Sequence, residues 1–378
     1  MNSTLMDEEW RILASLLPEG WRQLARETGA MRRARGAVQD PDALLQLLLL
    51  HVATGLSLTQ AVARAHVQGI ASLSDVALLK RLRSSEAWLR EMARQMIQSS
   101  RFAPALTAGP EGRRLRAVDA TTIEEPGATG TSWRVHYCIS LPELRCDHYE
   151  LTDSGGGESY KRVPVAPGDI ILGDRGYCHR EGVAHVLKAG GDVVLRLNST
   201  SFPLLADKRD KPFALLTNLR RLKGLQPREW PVRFIAAKST WSARLCAIRK
   251  SVAAAELAKK KIRQFAQKRN KTPKPETFEF AEYIFVLCSL DGGILDTHQV
   301  LDVYRARWQI ELCFKRLKSL LRLGHLPKRS DSSARAWIQG KLLTVLLVER
   351  LADEARFFSP WGFDLWSSKP LAGVHRGA

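Results

Sequence analysis

Apolar residues recur every three or four positions over roughly the first hundred residues, then shift to short alternating runs, and this change of period divides the chain. Helical spacing runs from Trp10 to Leu17, Pro41 opens a helix over Leu44 to Val52, and Leu58 to Ala65 and Ser74 to Leu82 flank a turn at Gly69. In SLSDVALLKRLRSS a Ser or Asp cap precedes an amphipathic helix carrying Lys80, Arg81 and Arg83, which suits a helix-turn-helix lying along DNA. A plain helical bundle fits the same pattern. Strands are expected from Leu115 to Asp153 as a three-strand meander, then a strand at Ile170, a helix over Glu181 to Ala189 and a strand over Asp192 to Leu197. Alternating runs at Phe213 to Leu219, Pro231 to Ala237, Ser242 to Ile248 and Tyr283 to Leu290 surround a basic helix from Ala253 to about Lys268. Leu342 to Leu351 reads as an apolar helix expected to pack on the sheet, whereas residues 359–378 show no period despite Trp361 and Trp366.

The expected fold class is α+β, a mixed sheet of the strand-rich then alternating kind. The expected domains are a helical DNA-binding domain over 1–108, a catalytic core over 109–198, a β-rich basic insertion over 199–290, the rest of the core over 291–358, and a tail over 359–378.

Charge adds a partner to this outline. The chain has 58 Lys plus Arg against 39 Asp plus Glu, a net charge of +19, and residues 208–274 hold 20 basic and 3 acidic residues, so that a surplus of 17 lies in one segment. Such segregation marks phosphate contacts and salt-dependent nucleic-acid binding, with Lys259, Lys260 and Arg263 on its helix as candidates. A merely soluble basic face is the alternative. The longest apolar run, around Leu44 to Val52, is interrupted by Gln46 and His51, which argues against a membrane span. The acidic start MNSTLMDEEW does not read as a secretory signal, and six scattered cysteines suit reduced thiols in a cytoplasm. His136-x-Cys138 and Cys146-x-His148 have zinc-like spacing on neighbouring strands, although buried cysteine packing is the commoner use of such positions.

The candidate chemistry lies in YRARWQIELCFKRLK, where Tyr304, Arg307, Glu311 and Lys318 stand at offsets of three, seven and fourteen. On one helix these four side chains form a stripe, a carboxylate framed by two cations and a phenol. A solvated face with pairs such as Glu311 and Lys315 would also look like this. Upstream, Asp119 closes the run Arg116-Ala117-Val118 and Asp174 follows DIILG beside Gly173 and Gly176. Acids at strand ends beside glycines can converge with an acid from a packed helix. Three converging acids call for cations. Two hard divalent ions satisfy them and can activate a water or a 3′-hydroxyl at a phosphodiester.

VDATTI, LGDRGY and the Tyr-x2-Arg-x3-Glu-x6-Lys spacing together resemble the DDE transposases of bacterial insertion sequences, specifically the insertion-sequence family four group. Trp133-Arg134-Val135-His136, Gly157-Glu158 and Pro167-Gly168-Asp169 add to the likeness, which covers about residues 50 to 350. The resemblance implies a ribonuclease-H-like core, with Asp119, Asp174 and Glu311 holding two Mg2+ ions, or Mn2+ in their place. It implies further that Tyr304, Arg307 and Lys318, with Arg175 and Arg134 from the matching motifs, lie near DNA phosphates. Some relatives stack a flipped base on a tryptophan where this chain has Tyr283; a tyrosine can stack too, and a buried core tyrosine is the alternative. The implied activity is cut-and-paste transposition on terminal inverted repeats and target DNA, by a homodimer, in the bacterial cytoplasm at the nucleoid. A related nuclease or resolvase, or a truncated DNA-binding regulator, are the other readings. Many relatives extend further at the C-terminus as helices that pair protomers, so a shortened C-terminus is a further expectation.

Overall fold

The computed structural model describes the chain except residues 1–2, 32–37, 39, 100–108, 129, 131, 142, 199, 209, 325, 329 and 358–378. The chain divides into two compact units, one from 1–96 with 335–378 and one from 97–334. The tail expected over 359–378 lies outside the described residues.

The first unit is helical: α1 Ser3–Ser15, α2 Trp21–Glu27, α3 Pro41–Val52, α4 Leu58–Val67, α5 Asp75–Ser84, α6 Glu86–Gln98 and, from the far end of the chain, α13 Asp331–Phe357. Local chemistry sets the helix starts. Asp40 accepts from Ala43 N with Pro41 at the first turn, Ser57 and Gln60 form a reciprocal capping box, and Ser74 accepts from Ala77 N. The turn between α4 and α5 contains Gly69 at φ 71°, which a side chain would strain. Leu44, Leu45, Leu47 and Leu48 are fully buried, and Trp21 stacks on Trp88, whose Nε1 donates to Trp21 O at 2.8 Å. The helix expected over Leu342 to Leu351 is part of α13, and it groups with these helices, not with the sheet. The reason is specific. Arg350 of α13 is buried and donates to the carbonyls of Leu16 and Met96 at 2.5 and 2.6 Å, and Gly340 leaves room for Val52, 3.0 Å from where a Cβ would stand.

The second unit is built on a nine-stranded sheet in the order β3-β2-β1-β4-β5-β9-β8-β7-β6. β1 Arg114–Ile123, β2 Trp133–Leu141 and β3 Cys146–Asp153 form an antiparallel meander. β4 Asp169–Gly173 lies parallel to β1, and β5 Asp192–Arg196 lies parallel to β4 after the crossover helix α7 Arg180–Lys188. A meander followed by parallel strands joined through helices is the ribonuclease-H-like core. The next elements are β6 Leu205–Ala206, α8 Leu215–Leu219, β7 Arg228–Ala236, β8 Ser239–Arg249, α9 Val252–Lys268, α10 Pro275–Phe280 and β9 Tyr283–Cys288. Their strands continue the core sheet, because β9 pairs antiparallel with both β5 and β8. Phe213 to Leu219, expected as a strand, instead contains the helix α8, since Leu215, Leu219 and Leu222 fall at helical spacing and the last two are buried. α11 Thr297–Ala306 and α12 Trp308–Ser319 complete the unit.

The pairing of β1 with β4 is locked by charge. Arg114 donates to both oxygens of Asp169 at 2.7 and 2.8 Å. Arg116, 2% exposed, donates to Asp169 at 2.9 Å, to Asp147 of β3 at 2.6 and 2.9 Å, and to Pro164 O at 2.6 Å. Burial alone would raise the pKa of Asp169, but the hydrogen bonds from Arg114 and Ala166 N and the charge of Arg116 outweigh it and hold it below the usual carboxylate range. A depressed acid contributes stability above its unfolded pKa that is lost as pH falls. Replacing Asp169 by Ala leaves Arg116 buried and underpaired, so urea unfolding at neutral pH should show a loss of about 3–5 kcal/mol.

Candidate active site

The parallel register brings the first two acids together. Arg114 pairs with Asp169 and Ala117 with Leu172, a constant offset of 55 that, carried two residues past the last pair, leads to Asp119 and Asp174, and the charge of Asp174 acts on Asp119. Side chains of paired residues share a face. On β2, Tyr137 pairs with Asp119 and its ring meets that of Phe314 on α12, with centroids 5.9 Å apart. Ile310, Phe314 and Leu317 are the buried face of α12, so Glu311, one turn before Phe314, comes to the same region as Asp119.

Arg307 joins the two. It hydrogen-bonds Glu311, and its Nη1 lies 3.8 Å from Asp119 Oδ2. The single helix expected for the signature is two, α11 and α12, meeting at Arg307. There Arg307 N donates to Tyr304 O and Ile310 N to Arg307 O, three-residue steps that tighten the turn. Tyr304 therefore belongs to α11 and Glu311 and Lys318 to α12, with Lys318 exposed.

The carboxylates repel one another. Burial, then the charges of Asp174 and Glu158, push the Asp119 pKa up to about 7 even though Ala120 N donates to it at 2.8 Å. Asp174 accepts from Gly176 N at 2.7 Å. Glycines stand on both sides of it where neighbouring side chains come close. A Cβ at Gly173 would fall 2.1 Å from the Tyr160 hydroxyl, and one at Gly176 would fall 1.7 Å from a Glu158 oxygen. Glu158, singled out in the sequence only within a matching dipeptide, is thus a carboxylate of the site that sequence reasoning missed.

A cluster of cations lies near the site. Gly173 pairs with Leu195, the residue before Arg196, at the end of β5. Burial, then the nearby charge of Arg175, lowers the pKa of Arg196, whose Nε is buried with no hydrogen-bond partner. Burial, then Arg196, Arg175 and Lys261, depress Lys250 to about 8. Arg196 and Lys250 were not foreseen. A signal existed for Arg196, the single charge closing the apolar run Val193-Val194-Leu195, as Asp174 follows DIILG.

Other expected residues fall elsewhere. Tyr283 is 4% exposed and packs in the hydrophobic core under β9, so its ring offers no face to a base and the stacking role is corrected to a core role. Lys259 pairs with Glu256 at 3.1 Å and Glu282 at 2.9 Å, and is not a free phosphate ligand in this structure. Lys260 and Arg263 are exposed on α9, and Arg263 lies over the Phe278 ring. Arg134 donates to Gly156 O at 2.6 Å, while Arg175 is exposed. His136 contacts Thr152 Oγ1 at 3.0 Å, and burial lowers its pKa to about 4. Among the described residues no group of three His, Cys, Asp or Glu stands ready to hold a metal, neither the zinc-like set nor the three acids. The acids nevertheless suit a hard divalent ion. All their donors are carboxylate oxygens, and the Arg307 guanidinium sits between two of them where a cation is needed.

Asp119, expected to close a short strand, instead lies inside β1, which runs on to Ile123, while Asp174 stands just past the end of β4 and Glu311 on α12. Carboxylates so placed on neighbouring parallel strands and a packed helix, with cations beside them, are a candidate site for phosphoryl transfer on nucleic acid. Residues 157–347 match the family model described as the transposase DDE domain. The chain is 33% identical over 349 residues to the putative transposase InsL for insertion sequence element IS186A of Escherichia coli (strain K12), covering 91% of this chain and 93% of that one. It is also 33% identical over 350 residues to the transposase for IS421 of Escherichia coli, with the same coverage, and 22% identical over 366 residues to that for IS231F of Bacillus thuringiensis subsp. israelensis, covering 88% and 77%. The chain belongs to the DDE transposases of bacterial insertion sequences, enzymes of DNA transposition that cleave and join DNA and depend on divalent metal. Among solved structures, the piggyBac transposase synaptic complex with hairpin DNA aligns at a TM-score of 0.38 with 11% identity, covering 93% of this chain and 80% of that one, too loosely to bear on the fold. Among the described residues no helix is long and apolar enough to cross a membrane.

The raised Asp119 has a testable sign. An acid whose folded pKa lies above its unfolded value binds more protons when folded, so between its ordinary value of 3.8 and about 7 it makes the metal-free fold less stable as pH rises. His136 works oppositely, since its lowered pKa means stability is lost as pH falls below its ordinary value of 6.5. The difference in melting temperature between Asp119→Asn and wild type, measured without metal, should therefore grow in favour of the variant from pH 4 to pH 7.

Proposed function

We propose that this transposase cuts the terminal inverted repeats of an insertion sequence and joins the freed 3′-hydroxyls to target DNA, with Asp119, Asp174 and Glu311 as its metal-binding triad. The observation that carries this reading is Asp119 on β1 and Asp174 just past its parallel neighbour β4, with Arg307 tying Glu311 to Asp119. Two Mg2+ ions, or Mn2+ in their place, would supply an activated water or 3′-hydroxyl and charge at the leaving oxygen. The chain's own residues do the rest. Arg307, loosened from Asp119 and Glu311, offers a two-pronged fork to a phosphate, and Tyr304 orients a phosphate through its hydroxyl. Lys318 adds a point charge along α12. Arg175, Arg196 and Lys250 line the path of the DNA backbone, where a phosphodiester would relieve their mutual repulsion. Exposed Lys260 and Arg263 extend that path along α9, and Lys80, Arg81 and Arg83 on α5 serve the helix-turn-helix in binding the transposon end. The enzyme works as a homodimer on paired ends, in the cytoplasm at the nucleoid.

Asp119→Asn, Asp174→Asn and Glu311→Gln should each lower the rate of end cleavage with Mg2+ by at least ~10²-fold while leaving duplex binding within a few-fold of wild type. A variant that cleaves at the wild-type rate removes that residue from the triad. Reversing Lys260, Lys261 and Arg263 to Glu should reduce the slope of log affinity against log salt by about 0.9 for each phosphate no longer neutralised, as read by fluorescence anisotropy. An unchanged slope would make α9 a solvated face.

A further inference from the structure

We propose that Glu158 is a fourth carboxylate of the active site, facing Asp174 across the bare α-carbon of Gly176 and sharing a divalent ion with it. The inference rests on the metal-binding role of Asp119, Asp174 and Glu311 proposed above.

The geometry is set by one point. A Cβ built on Gly176 would stand 1.7 Å from Glu158 Oε2 and 3.0 Å from Asp174 Oδ1, so these oxygens are no more than 4.7 Å apart, the sum of the two distances. Two oxygens on one Mg2+ are separated by at most about twice a ~2.1 Å bond, so a small side-chain adjustment brings both onto one ion. Asp174 is already oriented, since its Oδ1 accepts from Gly176 N at 2.7 Å. Glu158 is half-buried, and among the described residues no hydrogen bond or ion pair satisfies its carboxylate. Arg134, the nearby guanidinium, gives its Nη1 to Gly156 O instead, and His179 is exposed. A structural glutamate at such a place would be tied to a donor. Glu158 instead faces another carboxylate, that of Asp174, across Gly176.

The test counts Mn2+ bound to the full-length protein by electron paramagnetic resonance, with melting temperature measured without metal. Glu158→Gln should weaken Mn2+ binding by at least about tenfold. Glu158→Asp, which keeps the charge on a shorter arm, should fall between it and wild type. Gly176→Ala, which leaves every acid in place but pushes the Glu158 carboxylate away from Asp174, should weaken binding as Glu158→Gln does. Without metal Glu158→Gln should melt no lower than wild type, because a repulsion has gone; a marked fall would make Glu158 a structural residue and overturn the proposal. Mn2+ affinity within twofold of wild type in both Glu158→Gln and Gly176→Ala, while Asp174→Asn loses it, would also overturn the proposal and leave the triad standing. Unchanged affinity in Asp119→Asn and Asp174→Asn would sink the triad itself.

Discussion

The clamp of Arg114 and Arg116 on Asp169 is the interaction on which the rest depends. It fixes how far β4 slides along β1, and one residue of slippage would turn every side chain of the strand to the opposite face. Asp119 and Asp174 lie two residues past the last paired positions, where the strands so aligned leave them near each other. Arg116 reaches one strand further to Asp147, which ties the meander to the parallel half of the sheet. A buried ion pair adds little net stability compared with apolar packing, but breaking it is costly. Here its value is positional.

Around this register like charges gather in two groups. Asp119, Glu158 and Asp174 crowd together, with Arg307 the guanidinium that reaches Asp119 and Glu311. Arg175, Arg196 and Lys250 form the second group. Each group is held against its own repulsion by the packing of β1, β4, β5 and β8. In the proposed reading a divalent ion would relieve the first and a DNA phosphate the second. Groups prearranged in this way need little reorganisation when the substrate arrives, which is how fixed charges contribute to phosphoryl transfer.

The basic segment serves this arrangement by continuing the sheet. β9 pairs with β5, β8 pairs with β9, and Arg249 at the end of β8 stands opposite Tyr283 at the start of β9. The next residue, Lys250, is thereby brought to Arg196, and its ammonium donates to Ala281 O at 2.7 Å. The same pairing puts the Tyr283 ring among core residues of β5, β7 and β8, where it cannot meet a base.

By itself the sequence determined most of the succession of helices and strands, the acids and cations of the signature, and the family, because these follow from local periodicity and fixed spacing; the stretch Phe213 to Leu219, read as a strand, is the exception, a short helix. Asp119, Asp174 and Glu311 were legible since each breaks an apolar pattern or shares a helix face with cations. The break at Arg307, the docking of α13 with the N-terminal helices, the burial of Tyr283, the pairing of Lys259, and the entry of Glu158, Arg196 and Lys250 into the site were decided by tertiary structure. A single line of residues does not encode which strand lies beside which, and each of these outcomes turns on the meeting of elements distant in the chain. Glu158 is the clearest case: the sequence marked it only as part of a matching Gly-Glu dipeptide, with no role, and the fold of the loop after β3 onto Gly176 brings it to Asp174.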